Sequence, residues 1–139
     1  MEKYFTPYEE ALALKELGFN RRTLAQYNTR QGNEWILTLD LSGEGQYPKG
    51  SSACIAPTFS QAFRWFREKY NLKGFIGFRP NVKQFDCHVY DMSLSGEEYA
   101  KQRTMEEFNK DPKVGTYEEA ELECLKKLIE IVKEKNGKN

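Results

Sequence analysis

Apolar and polar positions follow two rhythms along this chain, one of helical period and one alternating, and each change of rhythm carries a start or stop signal. Three helix starts look alike. Thr6-Pro7-Tyr8-Glu9, Thr58-Phe59-Ser60-Gln61 and Thr116-Tyr117-Glu118-Glu119 each read as a capping box, in which the Thr oxygen accepts from an orphan helix N–H and the Glu or Gln reaches back. The first helix is expected over about 7–17, closed by Gly18 as a left-handed cap. The second, over about 59–70, gathers Phe59, Ala62, Phe63, Phe66 and Tyr70 into an arc of about 100°, with Trp65 outside it. The last, over about 117–135, has a wider arc built from Tyr117, Ala120, Cys124, Leu125, Leu128, Ile131 and Val132, with Leu122 and Ile129 at its margin. Such a width calls for more than one neighbour, and a homodimer through this helix would supply one.

Alternation marks the strands. Gly74 to Arg79 and Phe85 to Met92 flank Pro80-Asn81-Val82-Lys83 and read as a hairpin. Trp35 to Leu41 is β-branched and alternating, and 24–28 is its expected partner. The Gly- and Ser-rich stretch 42–52 reads as a flexible loop. Within 93–113, Ser95-Gly96-Glu97-Glu98 resembles a helix start, but Tyr99, Ala100, Met105 and Phe108 form no stripe. The pattern therefore predicts one α+β domain over 1–139: a small antiparallel sheet of three or four strands with two or three packed helices.

Composition supports a folded domain and removes several functions. Of 139 residues, 39% are hydrophobic and 30% charged, an ordinary globular mixture. Net charge is zero, so no overall field draws the chain to nucleic acid or membrane. Locally, residues 59–90 carry six basic side chains against two acidic ones, and 91–139 lean acidic. No apolar run approaches the ~20 residues of a membrane span. No basic-then-apolar leader opens the sequence, and the three cysteines lack disulfide or metal spacing, which points to a reducing cytoplasm.

Candidate chemistry is sparse. Cys87 and His88 are adjacent on a predicted strand, so their side chains leave on opposite faces and cannot form a nucleophile–base pair. Gly43 to Ser52 places Lys49 before Gly50, the wrong order for a phosphate-binding loop. Glu119, Glu123, Glu130 and Glu134 lie on the polar side of the last helix, as a solvated face. No catalytic residue, metal ligand or cofactor is expected, and the chain is not read as an enzyme. The hairpin says more. Ile76 and Phe78 with Phe85, Cys87 and Val89 make its core side, which leaves Phe75, Arg79, His88 and Tyr90 with Asp86 on the other. Flanked by Lys73 and Lys83, that face resembles the aromatic platforms on which unpaired bases stack. The competing reading is a covered face with Arg79 and Asp86 paired.

Leu14-Lys15-Glu16-Leu17-Gly18-Phe19, the run from Ala56 to Tyr70 and the run from Thr116 to Leu125 together resemble small uncharacterised proteins of phages, prophages and other mobile elements of gut Bacteroides and relatives. The resemblance lies at helix starts and core positions and implies a genomic setting, with no activity, cofactor or site residue. The resulting expectation is a cytoplasmic, non-catalytic accessory that binds a protein partner. Single-stranded nucleic acid on the hairpin face is the alternative, an enzyme of unknown class the third reading, and no membrane is involved.

Overall fold

A computed structural model describes residues 2–29, 35–39, 54–98 and 113–137. The α+β expectation holds: every strand pair is antiparallel, and the strands are shared between two three-stranded sheets. The chain forms two compact units, Met1–Ala62 and Phe63–Asn139, with the boundary inside one helix. The loop expected at 42–52 lies outside the described residues, as does most of 93–113.

In the first unit a 3-10 turn, Glu2–Tyr4, leads to α1 (Tyr8–Glu16), then β1 (Ala25–Thr29), β2 (Trp35–Leu39) and β3 (Cys54–Ile55). β1 is central and pairs with both others. The expected partnership of the 24–28 and 35–41 segments is thus present, whereas β3 is too short to have shown any period. Phe5, Ala11, Ala25, Tyr27, Cys54 and Ala56 form the core, with Tyr8, Leu12 and Leu37 packed against it. α1 ends as its sequence requires. Gly18 has φ 98°, its N–H donates to the Lys15 carbonyl, and the Phe19 N–H donates to that of Leu14 at 2.9 Å, which together make a Schellman closure. Leu14 and Phe19, the apolar pair that accompanies this motif, are both buried.

The start of α1 departs from expectation. Thr6 does not cap it: the N-cap is Pro7, with no side-chain hydrogen bond. The reason is tertiary. The Thr6 N–H donates to the Pro57 carbonyl at 2.9 Å and its carbonyl accepts from the Tyr27 hydroxyl at 2.6 Å, while Phe5 bridges to Thr58. Thr6 is thereby pulled into the interior, and these bonds outweigh a local cap. The box at Thr58 forms in both directions, and Thr116 caps its helix through its hydroxyl. The Gln61 N–H donates to Thr58 Oγ1 at 3.1 Å, and Gln61 Oε1 accepts from the Thr58 N–H at 2.9 Å. The Glu119 N–H likewise donates to Thr116 Oγ1 at 3.2 Å, and that hydroxyl donates to Glu119 Oε1.

α2 (Phe59–Tyr70) crosses the unit boundary. Phe59, Ala62 and Phe66 are buried as the stripe requires, but so is Trp65, while Phe63 and Tyr70 are half-buried. Trp65 belongs to the interior because its ring meets Phe66 and Tyr70 edge-on, at 5.1 and 5.4 Å between centroids, and Lys69 Nζ lies 5.1 Å over it. Asn71, at φ 55°, takes the left-handed position that turns the chain out of the helix and into β4.

The rest of the second unit is β4 (Leu72–Arg79), β5 (Gln84–Asp91), β6 (Lys113–Val114) and α3 (Tyr117–Gly137). β5 is central. α3 buries Ala120, Cys124, Leu125, Leu128, Ile129 and Val132. Ile129, expected at an open margin, is therefore buried within the chain, and Leu122 and Ile131 are half-buried. Ser95 Oγ accepts from the Glu98 N–H at the head of a helical turn over 96–98.

Candidate binding face

Register assembles the face that alternation outlined. Lys73 lies opposite Tyr90, Phe75 opposite His88, Gly77 opposite Asp86 and Arg79 opposite Gln84, so all eight share one side of the hairpin. β6 adds Lys113 beside Asp86. Lys83 stands apart, exposed in the turn at φ 52°. Cys87 pairs with Ile76 on the other side, so it and His88 diverge as expected.

Asp86 organises the centre. Its carboxylate leans across Gly77, into space that a Cβ there would occupy. From that position Oδ2 accepts from Arg79 Nε at 2.8 Å, and Oδ1 lies 3.1 Å from His88 Nε2. Phe75 stacks on the His88 ring at 5.9 Å and 29°, with Tyr90 6.4 Å beyond it. Asp86 and His88 are 4% and 5% exposed, against 45% for Phe75. Arg79 is therefore committed to a buried carboxylate, and His88 offers no open ring. Phe75 and Lys73 are what this side presents to solvent, with Tyr90 half-buried and Lys83 exposed in the adjoining turn.

The other side is closed by α3 over the first half of β4. A Cβ on Gly74 would lie 2.9 Å from Cys124 Sγ and 3.1 Å from Leu128 Cδ1, so glycine is what lets the helix approach so near. Cys87 and Cys124 are buried there. Hydrogen bonding to Cys87, then burial, pushes the Cys124 thiol far up, which keeps it protonated and unreactive. Cys54 is also buried, and none of the three cysteines forms a disulfide. Among the described residues no group of three His, Cys, Asp or Glu could hold a metal ion, and no helix is long and apolar enough to cross a membrane.

Closure stops short of the hairpin tip. α3 begins at Tyr117, whose ring meets Phe85 edge-on at 5.8 Å, and Phe85 packs on Phe78 at 4.9 Å. Among the described residues, no helical residue lies beyond that contact to cover Phe78. Phe78, read from alternation as core, is 53% exposed; Tyr117 is 47% and Val82, in the turn, 57%. Three large apolar side chains thus stand open at one end of the unit. Alternation assigns a residue to a face but carries no information on how far the covering helix reaches.

At the opposite end, Asp91 fastens β5 to α3. The Ser93 hydroxyl and N–H donate to its Oδ1, and Lys135 Nζ lies 3.5 Å from Oδ2. Chiefly through the Ser93 hydroxyl, and against some desolvation, the carboxyl is held below its ordinary value of 3.8. A depressed folded value means stability that is present above the unfolded value and lost as pH falls through the folded one. Ser93→Ala should therefore lower the unfolding free energy at neutral pH and leave it unchanged at the acid end. Urea titrations at a series of pH values read this directly, and equal losses at both ends would show that Ser93 acts otherwise.

Comparison with protein-family models, curated proteins and solved structures finds no match to the chain.

Proposed function

We propose that this chain is a non-catalytic accessory protein, encoded by a phage or another mobile element, that holds a protein partner on the tip of the β4–β5 hairpin. The observation that carries the reading is the open apolar end of the second unit, where Phe78 and Tyr117 meet Phe85 and Val82 stands exposed in the turn. Aromatic side chains held in place by a rigid sheet are what protein interfaces use as anchors. The genomic setting rests on the three helix-start stretches named above, and the genes on either side would test it.

Charge argues the same way. A nucleic-acid platform needs cations free to meet phosphates, and Arg79 is already paired with Asp86. Lys73 and Lys83 remain exposed, so single-stranded nucleic acid on Phe75 and Tyr90 is the alternative.

One set of variants separates the two. Phe78→Asp and Tyr117→Asp change exposed positions, and each should abolish retention of a partner captured from the host and then purified. Lys73→Ala should leave that retention intact. Fluorescence anisotropy with an oligonucleotide should show no binding at low salt. Micromolar single-strand binding that falls with salt by roughly 0.7 per phosphate contact, and loses about 1–3 kcal/mol on Phe75→Ala, would replace this reading with the alternative.

A further inference from the structure

β4 ends its sheet, and among the described residues no strand pairs with its other edge. The Met92 N–H donates to the Asn71 carbonyl at 2.7 Å, which aims the backbone groups of Asn71 at β5. Antiparallel alternation then aims those of Lys73, Phe75, Gly77 and Arg79 the same way, and those of Leu72, Gly74, Ile76 and Phe78 outward. Among the described residues, no other backbone group bonds to these four. Natural edges are usually short, bulged, or broken by proline. β4 pairs in unbroken register over all eight residues and meets no proline before Pro80.

We infer that this edge is the seam of a symmetric dimer, in which β4 of one copy pairs antiparallel with β4 of a second copy about an axis at Phe75. The strand is complementary to itself in that register. Phe75 faces Phe75, which covers a ring otherwise 45% exposed. Ile76 of each copy faces Gly74 of the other, so a large side chain meets a small one, while Leu72, 2% exposed and covered within its own chain, adds no open position. Lys73 faces Gly77 of the other copy, the place over which the Asp86 carboxylate lies. That cation–carboxylate approach occurs twice by symmetry.

Neighbouring registers lose this fit. An axis at Ile76 sets Lys73 against Arg79 of the other copy, like charge against like. An axis at Gly74 runs Phe78 into Tyr70, inside α2. The seam is the strand edge rather than the last helix, and it is independent of the hairpin-tip reading, because the purified protein alone is enough to test it.

Sedimentation velocity over a concentration series should show a monomer–dimer equilibrium. Phe75→Lys places two cations at the axis and should weaken it by about tenfold or more, with circular dichroism unchanged because the position is open. Phe75→Cys gives a second, positive readout. The groups of Phe75 are spent on β5, so its pair across the axis is the non-hydrogen-bonded kind, with Cα atoms about 4.5 Å apart and within the range of a disulfide. Under a mild oxidant Phe75→Cys should form a cross-linked dimer much faster than Val82→Cys, a more exposed control far from the axis. Native cysteines are buried and add little background. A monomer at every concentration, or equal cross-linking of the two variants, would overturn the inference.

Discussion

Replacing Phe66 with Ala is expected to cost about 3–5 kcal/mol of unfolding free energy, against about half as much at Phe63. Both rings lie on the apolar stripe of α2, and the period alone ranks them equally. Their surroundings do not. Phe66 is fully buried, its ring against Trp65 at 5.1 Å and Tyr70 at 6.0 Å, so truncation opens a cavity with walls held by other contacts. Phe63 is half-buried on the side that meets Gly74, where solvent and neighbours can refill the space. Chemical denaturation with an unchanged m-value would establish the difference. Equal losses would mean that the stripe, rather than the aromatic cluster around Trp65, sets the energetics of this helix.

That contrast shows what was legible in the sequence. Period and capping are local properties, so the positions of α2 and α3, the hairpin and the Gly18 stop of α1 could all be read directly. Thr58 and Thr116 both cap their helices through their hydroxyls. Thr6 failed because Pro57 and Tyr27, remote in sequence, claimed its backbone groups. Trp65 was misplaced for a related reason: a stripe gives the direction of one neighbour, and this residue is buried by contacts on its flank.

The candidate face was legible in composition but not in state. Alternation placed Phe75, Arg79, His88 and Tyr90 together correctly. It could not show that a carboxylate directly across from a glycine would gather Arg79 and His88 inward and leave Phe75 as the open ring. The exposed tip was missed altogether. Tyr117 is far in sequence from the Phe78–Phe85 pair, and their grouping depends on where α3 starts relative to the end of the hairpin.

The Gly77–Asp86 pair gives the sharpest test of that arrangement, because two disruptive changes should partly cancel. Gly77→Ala inserts a Cβ where the Asp86 carboxylate now lies. Asp86 must swing away, giving up Arg79 at 2.8 Å and His88 at 3.1 Å, while its strand position keeps it from reaching bulk water. The expected cost is about 1–3 kcal/mol. Asp86→Ala should cost about 2–3 kcal/mol, because it leaves a buried imidazole beside an apolar gap and frees an Arg that is one-third exposed. Once Asp86 is Ala, however, the other neighbour of that Cβ is His88 Nε2 at 3.6 Å, an ordinary contact. Adding Gly77→Ala then removes backbone freedom from the unfolded chain without a clash, and should be neutral or stabilising by up to about 1 kcal/mol. The double variant should therefore be no less stable than Asp86→Ala alone, a coupling of roughly 1–4 kcal/mol against the 0.5–3 kcal/mol common for touching residues. Four denaturation curves measure it. Simple additivity would mean that the carboxylate does not depend on the glycine, and that Arg79 is held on the hairpin by some other contact.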